Sequence, residues 1–334
     1  MGRARRGQGG HDGDDHGAAQ GARLRIHLDT DFAGDPDDAC ALAMLLGWPG
    51  VEIVGITTST DPGGRRAGYV ETLLGLAGRS GIPVAAGAEV CLTTRRPAGE
   101  IPDHEAYWGT DVSTTRIPAR PGAAPDLLAA SASAGATIVT VGPFTNLALL
   151  EVARPGALAG VPVVTMGGWT QPPPPGLPEW DATRDFNVQS DAAAADTVFR
   201  TAGAPLTVVG LDVTVQAQLR GRDLARLRAA GPVGTVLARS SLAHGTDYGN
   251  ATLGARYPDL PDDLVNFHHD PLACAAALGW DGVTIEERRL TPMLDEGALR
   301  LVESAEGRDA RVVTAVDGPA FASRWLEAIE SLAP

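Results

Sequence analysis

Five aspartates, Asp29, Asp31, Asp35, Asp37 and Asp38, stand within ten residues of the stretch HLDTDFAGDPDDACALAM (27–44), with no Lys or Arg in the loop beside them. Carboxylates crowded in this way disfavour one another's charge unless something positive is held among them. Asp37 and Asp38 can be read as acidic residues at a helix start, which accounts for one or two of the five. A hard divalent cation accounts for more, because Ca2+ takes roughly six to eight oxygens, several from carboxylates. The spacing is not that of an EF-hand: the glutamate at loop position twelve is absent, and a strand precedes the loop where a helix would be required. A D-x-D after a first strand is also how haloacid-type phosphotransferases hold Mg2+, so the loop alone leaves these alternatives open.

Three later loops carry further polar groups. TVGPFTNLALL (140–150) places Gly142-Pro143 and Thr145-Asn146 after an apolar strand. RDFNVQSDAAAADTVF (184–199) sets Asp185-Phe186-Asn187 just before a helix, and FHHDPLACAAALG (267–279) sets His269-Asp270-Pro271 at the start of another. Taken singly, Asp270 is a helix cap ahead of a first-turn proline, and a lone histidine is more often structural than catalytic.

The elements that must position these groups form a regular alternation. Strands are expected at LRIHL (24–28), VEIVGITT (51–58), IPVAAG (82–87), ATIVTVG (136–142), VPVVTMG (161–167) and PLTVVGL (205–211). Helices are expected at 39–47, 67–78, 145–153 and 191–200. Continuous Val, Ile and Leu strands alternating with helices predict an α/β fold: an open, mostly parallel, Rossmann-like sheet with helices on both faces. Such a sheet binds ligands beyond the carboxyl ends of its strands, which points to the loops after residues 28, 58, 141, 167 and 211. The Pro- and Gly-rich segments 88–135 and 168–189 are expected as loops over the sheet edge, since PPPPG (172–176) cannot be helical. GVTIEER (282–288), ALRLVE (298–303) and ARVVTAV (310–316) read as strands of a small C-terminal antiparallel appendage before a terminal helix. No repeat or linker interrupts the chain, so residues 23–334 are expected to form a single domain. Residues 1–22 are Gly-rich and charged without an apolar run, the composition of a disordered tail.

At 334 residues, 44% hydrophobic, with mean hydropathy −0.03, the composition is that of a globular protein with no transmembrane stretch. A net charge of −14 argues against nucleic acid as a ligand. The three cysteines, Cys40, Cys91 and Cys274, are widely spaced and form no metal pattern, which favours a reducing, cytoplasmic setting over a disulfide framework.

Taken together and in order, DTDFAGDPDD, GPFTN, DFN and HDP resemble the nucleoside hydrolase family, the inosine–uridine-preferring N-ribohydrolases, from about Leu24 to Gly279. The closest likeness is to the branch whose first loop is two residues longer than the common D-x-D-P-G-x-D-D form. The resemblance implies Ca2+-dependent cleavage of ribonucleosides to ribose and free base, with a metal-bound water as nucleophile. It implies Asp31, Asp38, Asp270 and the carbonyl of Val141 as metal ligands, and Asp31 also as general base. Asp37 and Asn187 would meet the ribose hydroxyls, and Asp185 would stand near the 5′-hydroxyl. His269 would protonate the leaving base. A homo-oligomer, dimer or tetramer, acting on small nucleosides in purine or pyrimidine salvage, completes the implied picture.

Departures from the family pattern leave the 5′ side open. GLPEWDATRDFN (176–187) lacks the usual asparagine, so that Glu179 or Asp181 is the candidate there, with Trp180 beside them. Val215 stands where a histidine is common, and Asp61 either serves the site or ends a strand. Trp108, Trp169, Trp180 and Tyr248 are loop aromatics able to stack on a base. Asp29 is expected to brace the loop from behind, while Asp35, in its lengthened part, has no assigned role and is expected to matter least. A relative acting on a modified ribosyl compound in secondary metabolism, or a catalytically weak riboside binder, are the competing expectations.

Overall fold

The computed structural model describes residues 23–201 and 203–333. The expected disordered tail lies outside these described residues. Among the described residues eleven strands are formed: β1 Leu24–Thr30, β2 Val51–Thr58, β3 Val84–Ala86, β4 Thr137–Thr140, β5 Val163–Met166, β6 Leu206–Val209, β7 Gln218–Arg220, β8 Leu264–Phe267, β9 Val283–Asp295, β10 Ala298–Glu303 and β11 Arg308–Val316. Nine of them make one sheet in the order β10-β9-β11-β6-β5-β4-β1-β2-β3.

From β3 to β11 all neighbours are parallel. Successive residues of the central strands are apolar because both faces are covered. Ile138, Val163, Val208 and Val312 enter one core, with Leu128, Leu147, Leu150 and Phe199. Their neighbours Val139, Val164, Val209 and Val313 enter the other, with Leu42, Met44, Leu272 and Trp325. The chain leaves β1 toward β2 and β3 on one side, and continues from β4 to β5 and β6 on the other. The order therefore reverses between β1 and β4, and the crevice beyond their carboxyl ends is the natural ligand site of such a sheet.

The C-terminal antiparallel part is present and continuous with the main sheet. β11 pairs parallel to β6 through Arg311↔Thr207 and Val312↔Val208, and β9 and β10 follow antiparallel. The segment 88–135, expected as loop, contains the helix Ala123–Ser133, which buries Ala124, Leu128 and Ser131 against the first strands. Its sequence, AAPDLLAASAS, is rich in strong helix formers, and the flanking prolines and glycines obscured that. The antiparallel pair β7–β8 and the helices Leu224–Ala229, Gly231–Asp247 and Asn250–Arg256 were not anticipated. No described helix is long and apolar enough to cross a membrane.

Candidate active site

The carboxyl ends of β1 and β4 open into a cavity of about 1460 Å3, lined by Asp31, Asp35, Asp37, Asp38, Val141, Asn187, His269 and Asp270 among others. The aspartate loop approaches the Val141–Gly142 turn closely. A Cβ on Gly142 would stand 2.6 Å from the Asp31 nitrogen and 2.7 Å from its Oδ1, so only glycine permits this contact.

The five aspartates meet different fates. Asp29 is fully buried and braces the loop from below: it accepts hydrogen bonds from Asn146 Nδ2 (2.8 Å), the Thr57 hydroxyl (2.5 Å) and the Thr140 hydroxyl (3.4 Å). Burial nonetheless pushes its pKa up to about 7, against the pull of those bonds. Beneath it the Ser131 hydroxyl, the His27 ring and Thr57 form a chain, with contacts of 2.8 and 3.0 Å to Nδ1 and Nε2. Because the Thr57 hydroxyl donates to Asp29, its oxygen accepts from His27 Nε2–H. Nδ1 is then left to accept from Ser131.

Asp31 is buried at the loop's turn, and burial raises its pKa to about 6 although Arg66 opposes the rise. Arg66 is the cation that the loop itself lacks. It is 2% exposed, and its guanidinium donates to the carbonyls of Asp31, Phe32 (2.9 Å), Ala98 (2.7 Å) and Thr60 (3.1 Å). It arrives from the helix Arg65–Leu76, whose first amides, Arg66 N and Ala67 N, donate to Asp61 at 2.7 and 3.0 Å. Asp61 therefore caps that helix and does not line the cavity.

Asp35, which had no assigned role, has partners in the structure. It faces His244 Nε2 at 3.0 Å and accepts from Asn266 Nδ2 at 2.8 Å. Burial would raise its pKa, but His244 and Asn266 hold it down at about 2.

That leaves Asp37, Asp38 and Asp270, each of which offers one oxygen within 4.8 Å of those of the other two. Burial first, and the neighbouring carboxylates second, push all three pKa values well up. Each has few donors: Asp38 accepts from the Thr30 hydroxyl, and Asp37 from Asp270 N at 3.3 Å. Three buried carboxylates converging with no described cationic side chain bonded to them are a donor set that suits a hard divalent ion. The geometry brings Asp37 into this triple, while Asp31, expected as a ligand, lies outside it.

Asn187 Nδ2 donates to the carbonyls of Val141 (2.8 Å) and Met166 (3.1 Å). Two carbonyl neighbours fix the amide nitrogen there and leave its Oδ1 for a donor in the cavity. His269 Nδ1 is 2.7 Å from the Thr214 hydroxyl, and its ring stacks on Phe267 at 5.3 Å. Burial draws the His269 pKa down to about 4, so the ring is neutral near pH 7. Trp180 stands 5.3 Å from Phe267 and 6.1 Å from His269, and lines the cavity with Tyr248.

Two expected site residues are not brought in. The Asp185 carboxylate accepts from Gly168 N at 2.6 Å and Val188 N at 3.2 Å, which makes it a buried cap of the short helix Phe186–Ser190. Glu179 is exposed and lies outside the cavity lining, and Asp181 only caps the turn at Thr183. Trp108 packs inside against Phe32 and Tyr69, Trp169 is not in the lining, and Val215 is core. Arg66, His244, Asn266 and Thr214 were missed. Thr214 lies directly before Val215, in the segment LDVT (211–214), but the other three carry no local signal.

A profile of the inosine-uridine preferring nucleoside hydrolase family matches residues 26–323. The pyrimidine-specific ribonucleoside hydrolase RihA of Salmonella agona (strain SL483) is 34% identical over 223 residues, 64% of this chain and 69% of the relative. RihA of Shewanella woodyi is 31% identical over 248 residues, 70% of each chain. Among solved structures, the plant nucleoside hydrolase PpNRh1 superposes with TM-score 0.76 at 26% identity, covering 93% of this chain and 99% of that one. A purine-preferring ribonucleoside hydrolase from Gardnerella vaginalis gives 0.74 at 26%, covering 92% and 99%.

Proposed function

This chain belongs to the inosine-uridine preferring nucleoside hydrolase family, and on that premise we propose that its cavity cleaves the N-glycosidic bond of ribonucleosides in a Ca2+-dependent reaction. It is a nucleoside N-ribohydrolase by family; the ion and the residue roles are our reading. The observation that carries them is the convergence of Asp37, Asp38 and Asp270 within 4.8 Å, in one cavity with Asp31, Asn187 and His269.

Asp38 and Asp270 would hold the ion, with Asp37 alongside and the Val141 carbonyl and Asp31 as further oxygens. A bound Ca2+ supplies an anchor for ribose hydroxyls and acidifies a nearby water. Asn187 Oδ1 and Asp37 orient the ribose. Asp31 takes the proton from the attacking water, in the role of general base. Positive charge developing on the sugar is stabilised by the ring of carboxylates. At the leaving base, His269 Nδ1 is engaged by the Thr214 hydroxyl. If that hydroxyl donates, the proton of the neutral ring sits on Nε2, from which it can pass to the base. Trp180 offers a face for the base. We assign the activity to cytoplasmic nucleoside salvage by a homo-oligomer.

The test is release of ribose and free base from a panel of purine and pyrimidine nucleosides, with and without EDTA. Both base classes belong in it, because one set of relatives is pyrimidine-specific and a structural neighbour is purine-preferring. No turnover of any nucleoside would overturn the reading; turnover indifferent to EDTA would overturn the metal. A second reading, a ribosyl compound modified at its 5′ side, is favoured by one observation. Asp185 is spent on backbone amides and the exposed Arg184 lines the cavity from the same segment.

A further inference from the structure

We propose that Asp35 is a positioning residue that ties the base-binding wall of the cavity to its carboxylate floor, by holding His244 and, through it, the ring of Tyr248. The inference rests on the reading of the cavity as a nucleoside site. Asp35 joins three separate pieces of the chain. One oxygen accepts from Asn266 Nδ2 of β8 at 2.8 Å and from Asp37 N, at the start of the helix Asp37–Gly47, at 3.1 Å. The other faces His244 Nε2, near the end of the helix Gly231–Asp247, at 3.0 Å. A solvated ion pair would count for little. Here the histidine side chain is 9% exposed and the Asp35 side chain 34%, and the carboxylate answers three donors at once.

What His244 carries explains why that matters. Its ring stacks on Tyr248, with centroids 4.2 Å apart and planes 22° from parallel. Tyr107 meets it edge-on at 6.5 Å and is itself fixed by donating to Asp247 at 2.8 Å. Tyr248 is 73% exposed and lines the cavity. It sits at the helix end, and Gly249 after it has a left-handed φ of 69°, so helix continuity does not set the course of the chain beyond it. Side-chain contacts do that: Asn250 Nδ2 donates to Val265 O (3.0 Å) and to Asn266 Oδ1 (3.3 Å), and Asn266 is the residue that Asp35 holds. One carboxylate thus fastens the segment 244–250 twice, directly and through Asn266. It also touches the backbone of Asp37, a carboxylate of the floor. An aromatic face fixed by a well-bonded, half-buried anchor is what stacking on a base requires.

The experiment compares wild type with Asp35→Ala, Asp35→Asn, His244→Ala, Tyr248→Ala and the Asp35→Ala/His244→Ala double variant. It reads kcat and KM separately on the best nucleoside substrate, calorimetric binding of adenine, uracil and ribose, and thermal unfolding. Each alanine variant should raise KM about tenfold with a smaller change in kcat, and should weaken base binding while sparing ribose. The double variant should lose no more than the worse single, as residues acting as one unit do. Asp35→Asn, which keeps an acceptor toward Asn266 and Asp37, should fall between. Additive losses, or losses that follow the unfolding temperature and weaken ribose equally, would overturn the assignment. If wild type turns over no nucleoside, the proposed function fails, while base binding still decides the role of Asp35; wild type that binds neither base overturns both.

Discussion

At the floor of the cavity Asp37, Asp38 and Asp270 are buried, begin helices and lie against the central strands. At the rim Tyr248, Phe186 and Arg256 stand exposed on short segments at helix ends. The floor concentrates like charge in a buried place: Asp38 leans on the sheet through Thr30, and Asp29 beneath it is held by Thr57, Thr140 and the helix residue Asn146. The rim offers aromatic faces and unburied cations and leans on side chains such as His244 and Asn266. An arrangement that stabilises a cationic sugar must be preorganised, whereas one that admits different bases need not be as rigid. On the proposed function, bond cleavage belongs to the floor and substrate choice to the rim.

The sharpest way to break that division is Asp31→Asn. If the floor does the chemistry, kcat should fall on the order of 10^3-fold, as for loss of a general base, with KM for nucleosides little changed. The amide keeps the size of the side chain, so an unfolded protein would not be the explanation. A change confined to KM would move Asp31 from chemistry to binding.

Next in size is the response to the ion. Chelation should abolish turnover, and Ca2+ added at about 100 times its Kd should stabilise the fold by about 2.7 kcal/mol, read as a rise in Tm. Asp38→Asn separates the two sides of this effect. It removes one of three crowded carboxylates, so Tm in EDTA should rise, while the increment on adding Ca2+ should shrink. A variant less stable in EDTA and still fully responsive to Ca2+ would show that the triple is not the site.

How much of this contrast the sequence carried follows from where each group lies along the chain. The floor is built from local signals: aspartates after one strand, G-P-x-T-N after another, H-D-P at a helix start. Their common position at strand ends follows from the alternation of elements, so Asp31, Asp37, Asp38, Asn187, His269 and Asp270 were legible as one constellation. Arg66 was not, because it reaches the Asp31 carbonyl from 35 residues away. Asp35 was not, because its partners His244 and Asn266 come from a region with no periodic signature. Asp185 and Glu179 failed for the opposite reason. Their positions along the chain were right for a sugar contact, but the backbone of the Pro- and Gly-rich segment claims one carboxylate and turns the other to solvent.

A rim substitution should cost less than either floor test. Trp180→Ala removes a half-buried ring beside His269 and Phe267. Loss of one stacking face is worth about 1 kcal/mol, so KM should rise about fivefold, unequally for purine and pyrimidine nucleosides, with kcat within a factor of about three. A fall in kcat as large as that of Asp31→Asn would erase the distinction between rim and floor.

The smallest effect tests how far the rigidity of the floor extends beneath it. His27, under Asp29, is fully buried, and burial draws its pKa from 6.5 to about 3. Above pH 6.5 neither the folded nor the unfolded chain binds a proton there. As the pH falls below 6.5 the unfolded chain takes one up while the folded chain refuses it, so stability declines by about 1.4 kcal/mol per unit until about pH 3. Between pH 7 and 5 this amounts to about 2 kcal/mol of unfolding free energy. His27→Gln should be less stable than wild type at pH 7, because the links to Ser131 and Thr57 are disturbed, yet its stability should depend less on pH over that interval. Gly55 would meet the His27 ring at 2.8 Å if it bore a Cβ, so Gly55→Ala should disturb the same chain from the neighbouring strand without removing the titrating group. Urea unfolding at both pH values separates the two variants. Equal pH slopes in wild type and His27→Gln would mean that the histidine takes up its proton in the folded state and that the support below the floor is looser than its hydrogen bonds indicate.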